Sequence, residues 1–134
     1  CWDVAISRST AVIQLPSEGI LENKSISLLF YDGGECMRNL SEHDKAVARP
    51  RGYSCEELGG VGYFEKDQIH DIQRLSKLKA AFVSPWGTGC NRYVDILESK
   101  DGYHVTWQQS QKDLSQPLVY TFVPREKILS VLTD

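Results

Sequence analysis

The chain lacks both the long apolar run of a membrane-spanning helix and the strong positive charge of a nucleic-acid-binding domain. Its 134 residues include 15 Lys and Arg against 18 Asp and Glu, which gives a formal net charge of −3. The longest apolar stretches, such as Ile26 to Tyr31, are far shorter than the roughly 20 residues that cross a bilayer. A dedicated nucleic-acid binder carries a strongly basic field. The composition therefore predicts one ordinary globular domain that binds no nucleic acid and has no transmembrane segment.

Motifs of the common enzyme and metal-binding classes are also missing. The sequence has no nucleophile elbow, zinc-protease motif, phosphate-binding loop or EF-hand loop. The most enzyme-like arrangement is His104 with Glu98 across a predicted hairpin, since a nuclease needs an acid–base pair. Histidines on strand surfaces are common, so we expect no catalytic residue, no cofactor and no metal. The acidic residues at 32–35 and the pair Asp95 and Asp101 are interpreted as solvated turns rather than as calcium ligands.

Cysteines and glycosylation sequons bear on the compartment. N-x-S acceptors begin at Asn23 and Asn39. Together with an even number of widely spaced cysteines, they are typical of a secreted, disulfide-bonded glycoprotein. The chain starts at a cysteine without an apolar leader, which predicts a processed mature form or a trimmed chain. The cysteines are Cys1, Cys36, Cys55 and Cys90.

Four cysteines allow three pairings. We favour Cys36–Cys55 and Cys1–Cys90. A cytosolic protein with four thiols and a bacterial lipoprotein with its lipid on Cys1 are the alternatives.

Runs of β-branched and aromatic residues between turn residues predict a mostly β fold. Asp101-Gly102 lies between two such runs and is the strongest hairpin signal. The glycine-rich segment 56–62 is predicted to be a loop, and the three-residue spacing of apolar residues over 69–78 fits a helix. The predicted strands are 4–7 and 11–15 (or one bent strand), 26–31, 80–83, 93–98, 103–108 and 118–122.

An internal similarity bears on the architecture. Ile26–Cys36 aligns with Ala80–Cys90, each with an apolar strand, a glycine turn and a final cysteine. This predicts two similar Greek-key-like units, 26–78 and 80–134, preceded by an N-terminal strand segment at 1–16. Two such units stack as one β-sandwich domain over residues 1–134, because each has an apolar face to bury.

Three segments carry a family resemblance: Tyr31–Cys36, Gly52–Gly59 and Ile69–Ile72 resemble motifs of fungal secreted β/γ-crystallin-type domains. The resemblance covers 26–96 best and implies a crystallin-like fold. The paired Asn or Asp with Ser/Thr signature that binds calcium in that family is absent. The resemblance therefore implies a fold and carries over no activity.

We expect a protein that acts by binding rather than by catalysis, as a secreted fungal effector-like or defence-related monomer. Its target is a host protein or a cell-surface component. The predicted surface consists of loops at one end of the sandwich, with Arg49, Arg51 and Trp86 as contact residues. Little room is expected for a cavity, because side chains from both sheets fill the interior. The alternatives are an antimicrobial or killer-type toxin acting on a membrane or cell wall, and a small secreted hydrolase or nuclease.

Overall fold

A computed structural model describes residues 2–4, 6–34 and 57–133. In these ranges the chain forms two antiparallel sheets and ends in a helix, α1 (Arg125–Thr133). A short 3-10 turn, Gly19–Leu21, follows the first strand. The first sheet contains β1 (Ile6–Gln14), β2 (Ile26–Gly34), β3 (Leu58–Glu65) and β4 (Gln73–Arg74). The second contains β5 (Asn91–Ser99), β6 (Gly102–Gln109) and β7 (Leu118–Pro124). The mostly β class and the two-sheet arrangement are confirmed.

Both sheets have a simple strand order, β1-β2-β3-β4 and β5-β6-β7. Strands that are neighbours in sequence are therefore neighbours in space, as in a meander, and the described strands show no Greek-key crossing. The strands that pair follow one another in the described part of the chain, although residues 35–57 lie between β2 and β3.

Several predicted strands are present. The predicted hairpin is β5–β6, in which Ser99 pairs with Gly102 across the turn. The bent-strand alternative for the N-terminal region is confirmed as β1, whose register shifts between Ser9 and Ala11. The predicted strand at 118–122 is β7, two residues longer than expected.

The glycine-rich segment 56–62 is not the loop that its composition predicts, because most of it forms β3. Its glycines are required by close packing rather than by a turn. A Cβ atom at Gly60 would collide with the ring of Tyr31, and one at Gly59 would lie 2.9 Å from Cβ of Phe82. Neighbouring aromatic rings thus occupy the space that side chains would fill in an ordinary strand.

Two other predictions are wrong. Residues 69–78 contain turns and the short β4 rather than a helix, and Leu78 is 93% exposed. The strand predicted at 80–83 is reduced to one isolated bridge between Phe82 and Gly59. The segments aligned as a repeat therefore differ in structure, because Ile26–Gly34 is a full strand and 80–90 is mostly irregular. The C-terminal helix α1 was not predicted.

The N-terminal segment covers the outer face of the first sheet. The Trp2 ring stacks on Tyr31 with 5.8 Å between centroids, and its indole N–H donates to the carbonyl of Ser76 over 2.7 Å. The carboxylate of Asp3 accepts from Tyr31 Oη at 2.9 Å and from Arg74 Nη2 at 2.8 Å. Both faces of β2 are therefore covered, which explains the consecutive apolar residues Leu28–Tyr31.

Candidate functional site: a cavity between the sheets

An apolar cavity of about 440 Å³ lies between the two sheets. The first sheet and the adjoining Leu15 form one wall, the second sheet forms the other, and α1 and the irregular segment at 82 complete it. The expectation that the interior leaves little room is therefore wrong. The lining residues are Ile13, Leu15, Leu28, Phe30, Phe82, Asn91, Val94, Ile96, Tyr103, Val105, Trp107, Thr121, Val123 and Ile128.

Strand alternation places these side chains on the same side. Successive residues of a strand point to opposite faces, so positions two apart share a face. Leu28 and Phe30 on β2 follow this rule, as do Tyr103, Val105 and Trp107 on β6. The same pattern describes an ordinary filled core, which is why sequence analysis missed the cavity. The available signal was side-chain size, since inward positions of the second sheet include three valines and a threonine: Val94, Val105, Val123 and Thr121.

The two sheets converge at β5. Its backbone lies close to β1, β2 and β3, whereas β6 and β7 lie farther from the first sheet. At the opposite end α1 packs against the 3-10 turn. There the carbonyl of Leu132 occupies the space beside Gly19, whose φ of +56° suits glycine. The cavity lies between these two points of closure.

A polar network ties the sheets together where they converge. Arg8 Nη2 on β1 donates to Asp32 Oδ2 on β2 at 2.8 Å and to Glu57 Oε1 at 2.7 Å. Arg92 Nη1 on β5 donates to the other oxygen of Glu57. The backbone N–H of Tyr93 donates to the Asp32 carboxylate at 3.0 and 3.2 Å. Two guanidinium groups and two carboxylates thus pair with one another across the sheets.

The backbone of Tyr93 has an unusual conformation at its contact with Asp32. It has a φ of +57° within the register shift between Arg92 and Asp95, a conformation that few residues other than glycine adopt. The guanidinium carbons of Arg8 and Arg92 lie 4.4 and 4.8 Å from the centre of the Tyr93 ring. Cation–π attraction at this distance adds to the ion pairs.

Asp32 is fully buried, so the sequence-based interpretation of this acidic residue as part of a solvated turn is wrong. Burial raises the pKa of its carboxyl above the usual 3.8, although the bonds from Arg8 and the Tyr93 N–H act to lower it. The carboxylate is engaged on the β1 and β5 sides. The network therefore has a structural role, because it holds the two sheets together where they converge.

Few polar groups line the cavity. The Tyr103 side chain is 3% exposed, and its hydroxyl has no hydrogen-bond partner among the described residues. Burial, together with the charge of Glu98, raises its pKa, so the phenol stays neutral. The indole N–H of Trp107 donates to Gln109 Oε1 at 2.8 Å. Phe82, 39% exposed, and the exposed Thr121 mark where the lining reaches solvent.

The predicted contact residue Trp86 lies in an irregular segment and is 37% exposed. The ammonium of Lys112 lies 5.7 Å from its ring centre. Ser84 fixes the segment, since its buried hydroxyl donates to the Ser110 carbonyl at 2.6 Å and accepts from the Trp86 N–H at 3.1 Å. Arg49 and Arg51 lie outside the described residues.

The predicted pairing of His104 with Glu98 is not observed. His104 Nδ1 is 2.9 Å from Tyr120 Oη, and the two rings stack. Glu98 accepts instead from Arg125 at the start of α1, at 3.0 Å. Leu97, rather than Glu98, is the residue opposite His104 in the β5–β6 register, so the acid lies on the other face of the sheet.

Some of the remaining predicted site residues, the cysteines and the glycosylation asparagines, lie in the described ranges. Cys90 is buried, and no disulfide is found in the described part of the chain; Cys1, Cys36 and Cys55 lie outside it. Asn23 is an exposed turn residue with a φ of +63°, and Asn39 is outside the described ranges.

The described residues contain neither a cluster of metal-binding side chains nor a membrane-spanning helix. No group of three or more His, Cys, Asp or Glu side chains that could hold a metal ion occurs in ranges 2–4, 6–34 and 57–133. Within those ranges, no helix has the length and apolarity to cross a membrane.

Comparison of the chain with protein-family models, with curated proteins and with solved structures gives no match.

Proposed function

We propose that the protein binds a small, neutral, apolar molecule in the cavity between its two sheets. The observation that carries this proposal is the cavity of about 440 Å³ with its nearly continuous apolar lining. Small-molecule sites are concave, mostly apolar pockets of about 300–1,000 Å³. A binding role also agrees with the expectation, drawn from the sequence, of a protein that acts without catalysis.

The charge of the lining defines the chemical class of the ligand. None of the lining residues is charged. The nearby guanidinium groups of Arg8, Arg92 and Arg125 already pair with carboxylates. A carboxylate placed inside would lose its hydration without gaining a counter-ion, which is costly. The favoured ligand is therefore an uncharged alkyl, isoprenoid or aromatic molecule.

Apolar burial alone accounts for moderate affinity. A ligand that buries about 300 Å² of apolar surface gains roughly 7–8 kcal/mol at about 25 cal/mol per Å². Part of this gain is offset by the lost translational and rotational freedom of the ligand. We expect dissociation constants in the micromolar range or weaker.

A fluorescence titration tests the proposal. The neutral probe N-phenyl-1-naphthylamine should bind the wild-type protein with enhanced emission, and 1-decanol should displace it far better than decanoate at pH 8. Ile96→Trp places a large ring in the cavity and should weaken probe binding by about tenfold or more. Leu97→Trp is the matched control, because Leu97 is the next residue of β5 and is 69% exposed on the opposite face.

Three results would contradict the proposal. They are a failure of the probe to bind, equal loss of binding in both variants, and displacement by decanoate as effective as by decanol. Circular dichroism of both variants shows whether the second sheet is retained.

Recognition of a protein partner through the irregular segment 84–89 is a second candidate. It is favoured by the exposed ring of Trp86 on a segment that Ser84 holds in place. Under this proposal Trp86 contacts a host protein or cell-surface component together with Arg49 and Arg51. Secretion, a fungal source and a relationship to β/γ-crystallin-type domains remain predictions from the sequence motifs.

A further inference from the structure

The strand β7 is an edge of the second sheet. Among the described residues its one strand neighbour is β6, with a continuous register from Gly102–Pro124 to Gln108–Leu118. Seven residues of β7 therefore have a side that no described strand covers. Edge strands expose backbone N–H and C=O groups that can pair with another strand.

The other edges carry features that discourage pairing. β1 has the charged Arg8 and a register shift after Ser9, and β4 is two residues long. β5 has a register shift after Arg92 and packs against the first sheet. Charges, irregular register and short length are the usual protection of sheet edges. β7 has none of these between Leu118 and Val123, since its sequence is Leu-Val-Tyr-Thr-Phe-Val followed by Pro124.

The sequence of β7 is complementary to itself. If two copies pair antiparallel over all seven residues, Thr121 faces Thr121 on the two-fold axis. Tyr120 then faces Phe122, and Val119 faces Val123. Aromatic pairs, β-branched pairs and Thr–Thr pairs are favourable opposite one another in antiparallel sheets.

The outer face of β7 would also gain cover. Tyr120 is 60% exposed, Phe122 is 38% exposed and Leu118 is 69% exposed. Pairing would bring the Tyr120 and Phe122 rings of one copy beside those of the other. Exposed apolar side chains in a row are typical of interaction surfaces.

We infer that β7 pairs antiparallel with β7 of a second copy of this chain, joining the two three-stranded sheets into one of six strands. A second copy fits better than an unrelated peptide because every cross-strand pair in the full-length register is apolar or joins two hydroxyls. This dimer would replace the monomer expected from the sequence. The inference does not rest on ligand binding, although Thr121 and Val123 of β7 also line the cavity.

Sedimentation velocity from about 1 µM to about 500 µM tests the inference, because a dimer obeys mass action. The wild-type protein should shift towards a dimer as its concentration rises. Thr121→Lys and Thr121→Glu each place like charges opposite one another across the axis and should weaken the dimer by roughly tenfold or more. An equimolar mixture of the two variants should restore it, because the charges then attract.

Leu97→Lys is the control, since Leu97 is an exposed residue on β5 at the far side of the sheet. It should leave the dimer intact. A wild-type protein that stays monomeric over the whole range overturns the inference. A dimer that survives both Thr121 variants, or that the mixture fails to restore, overturns it as well and points to another surface. The wild-type measurement needs no variant, so it can overturn the inference even if a Thr121 variant fails to fold.

Discussion

Ser84 and Trp86 are two residues apart and have opposite environments. The Ser84 side chain is 1% exposed, and its hydroxyl both donates and accepts a hydrogen bond. The Trp86 ring contacts solvent and the Lys112 ammonium. At this scale the small residue has the structural role, and the large aromatic one is available for recognition.

We therefore predict different costs for the two alanine variants. Ser84→Ala leaves the Ser110 carbonyl and the Trp86 N–H without their partner and should destabilise the fold by about 2 kcal/mol. Trp86→Ala removes a partly exposed ring and a cation–π contact and should cost about 1 kcal/mol or less. Thermal unfolding of both variants measures the difference.

If Trp86→Ala unfolds the domain, the indole is a core residue and recognition through segment 84–89 loses its anchor. The Ser84→Thr variant is a control. It keeps the hydroxyl that bonds to the Ser110 carbonyl and to the Trp86 N–H, and it adds one methyl group in a tight space.

At the scale of elements, the polar network determines how β1, β2 and β5 meet. Removing the Arg8 charge leaves the fully buried Asp32 with the Tyr93 N–H as its remaining hydrogen-bond donor among the described residues. Losing one member of a fully buried pair costs roughly 3–5 kcal/mol. The side chain of Arg8 is 44% exposed, so water screens part of the interaction, and we predict that Arg8→Met costs about 2 kcal/mol at pH 7.

This cost should depend on pH with a definite sign. Because burial raises the pKa of Asp32 above 3.8, the ionised carboxylate is the form that opposes folding and needs Arg8. Relative to the wild-type protein, the destabilisation by Arg8→Met should shrink as the pH falls through the pKa of Asp32 and the carboxyl becomes neutral.

Urea unfolding at pH 7 and pH 4 measures the cost of Arg8→Met. In an Asp32→Asn background this cost should be smaller at pH 7 and should change less between the two pH values. A cost that grows towards low pH would contradict the assigned role of Asp32.

The sequence predicted elements well where local signals agree with tertiary structure. Asp101-Gly102 between two β-rich runs gave the β5–β6 hairpin because the turn residues and the flanking pattern indicate the same structure. The β3 strand was not predicted because its glycines are required by close packing. The rings of Tyr31 and Phe82, which are distant in sequence, occupy the space beside them. Helix α1 has one buried residue, Leu132, so it shows little of the apolar periodicity that identifies a helix.

The candidate site was harder to predict for a related reason. Alternating apolar residues indicate which face of a strand is covered, but they do not give the separation of the two sheets. That separation depends on the tie between Asp32 and Tyr93, 61 residues apart, and on where α1 meets the 3-10 turn. Of the three predicted contact residues, Trp86 lies in the described part and is partly exposed as expected, yet it is not among the residues that line the cavity.

At the scale of the whole molecule, the oxidation state of the four cysteines tests the prediction of secretion. We predict that all four are in disulfides, with Cys36–Cys55 and Cys1–Cys90 as the favoured pairs. Each bridge would contribute about 2–4 kcal/mol. Intact mass after alkylation in denaturant, with and without prior reduction, counts the thiols directly.

Denaturant is needed because Cys90 is fully buried and would be protected from the reagent in the folded protein. Four alkylated thiols without reduction would contradict both the bridges and the secreted assignment.

The attachments between the two sheets are unequal, and this has a dynamic consequence. At β5 the amide of Tyr93 is held by a buried carboxylate, so its hydrogen should exchange with deuterated solvent only when the protein unfolds as a whole. At the other end α1 rests on the 3-10 turn beside Gly19, and amides there should exchange through local opening. The α1 side is therefore expected to open locally more often than the β5 side. Such opening would set the residence time of the ligand proposed for the cavity.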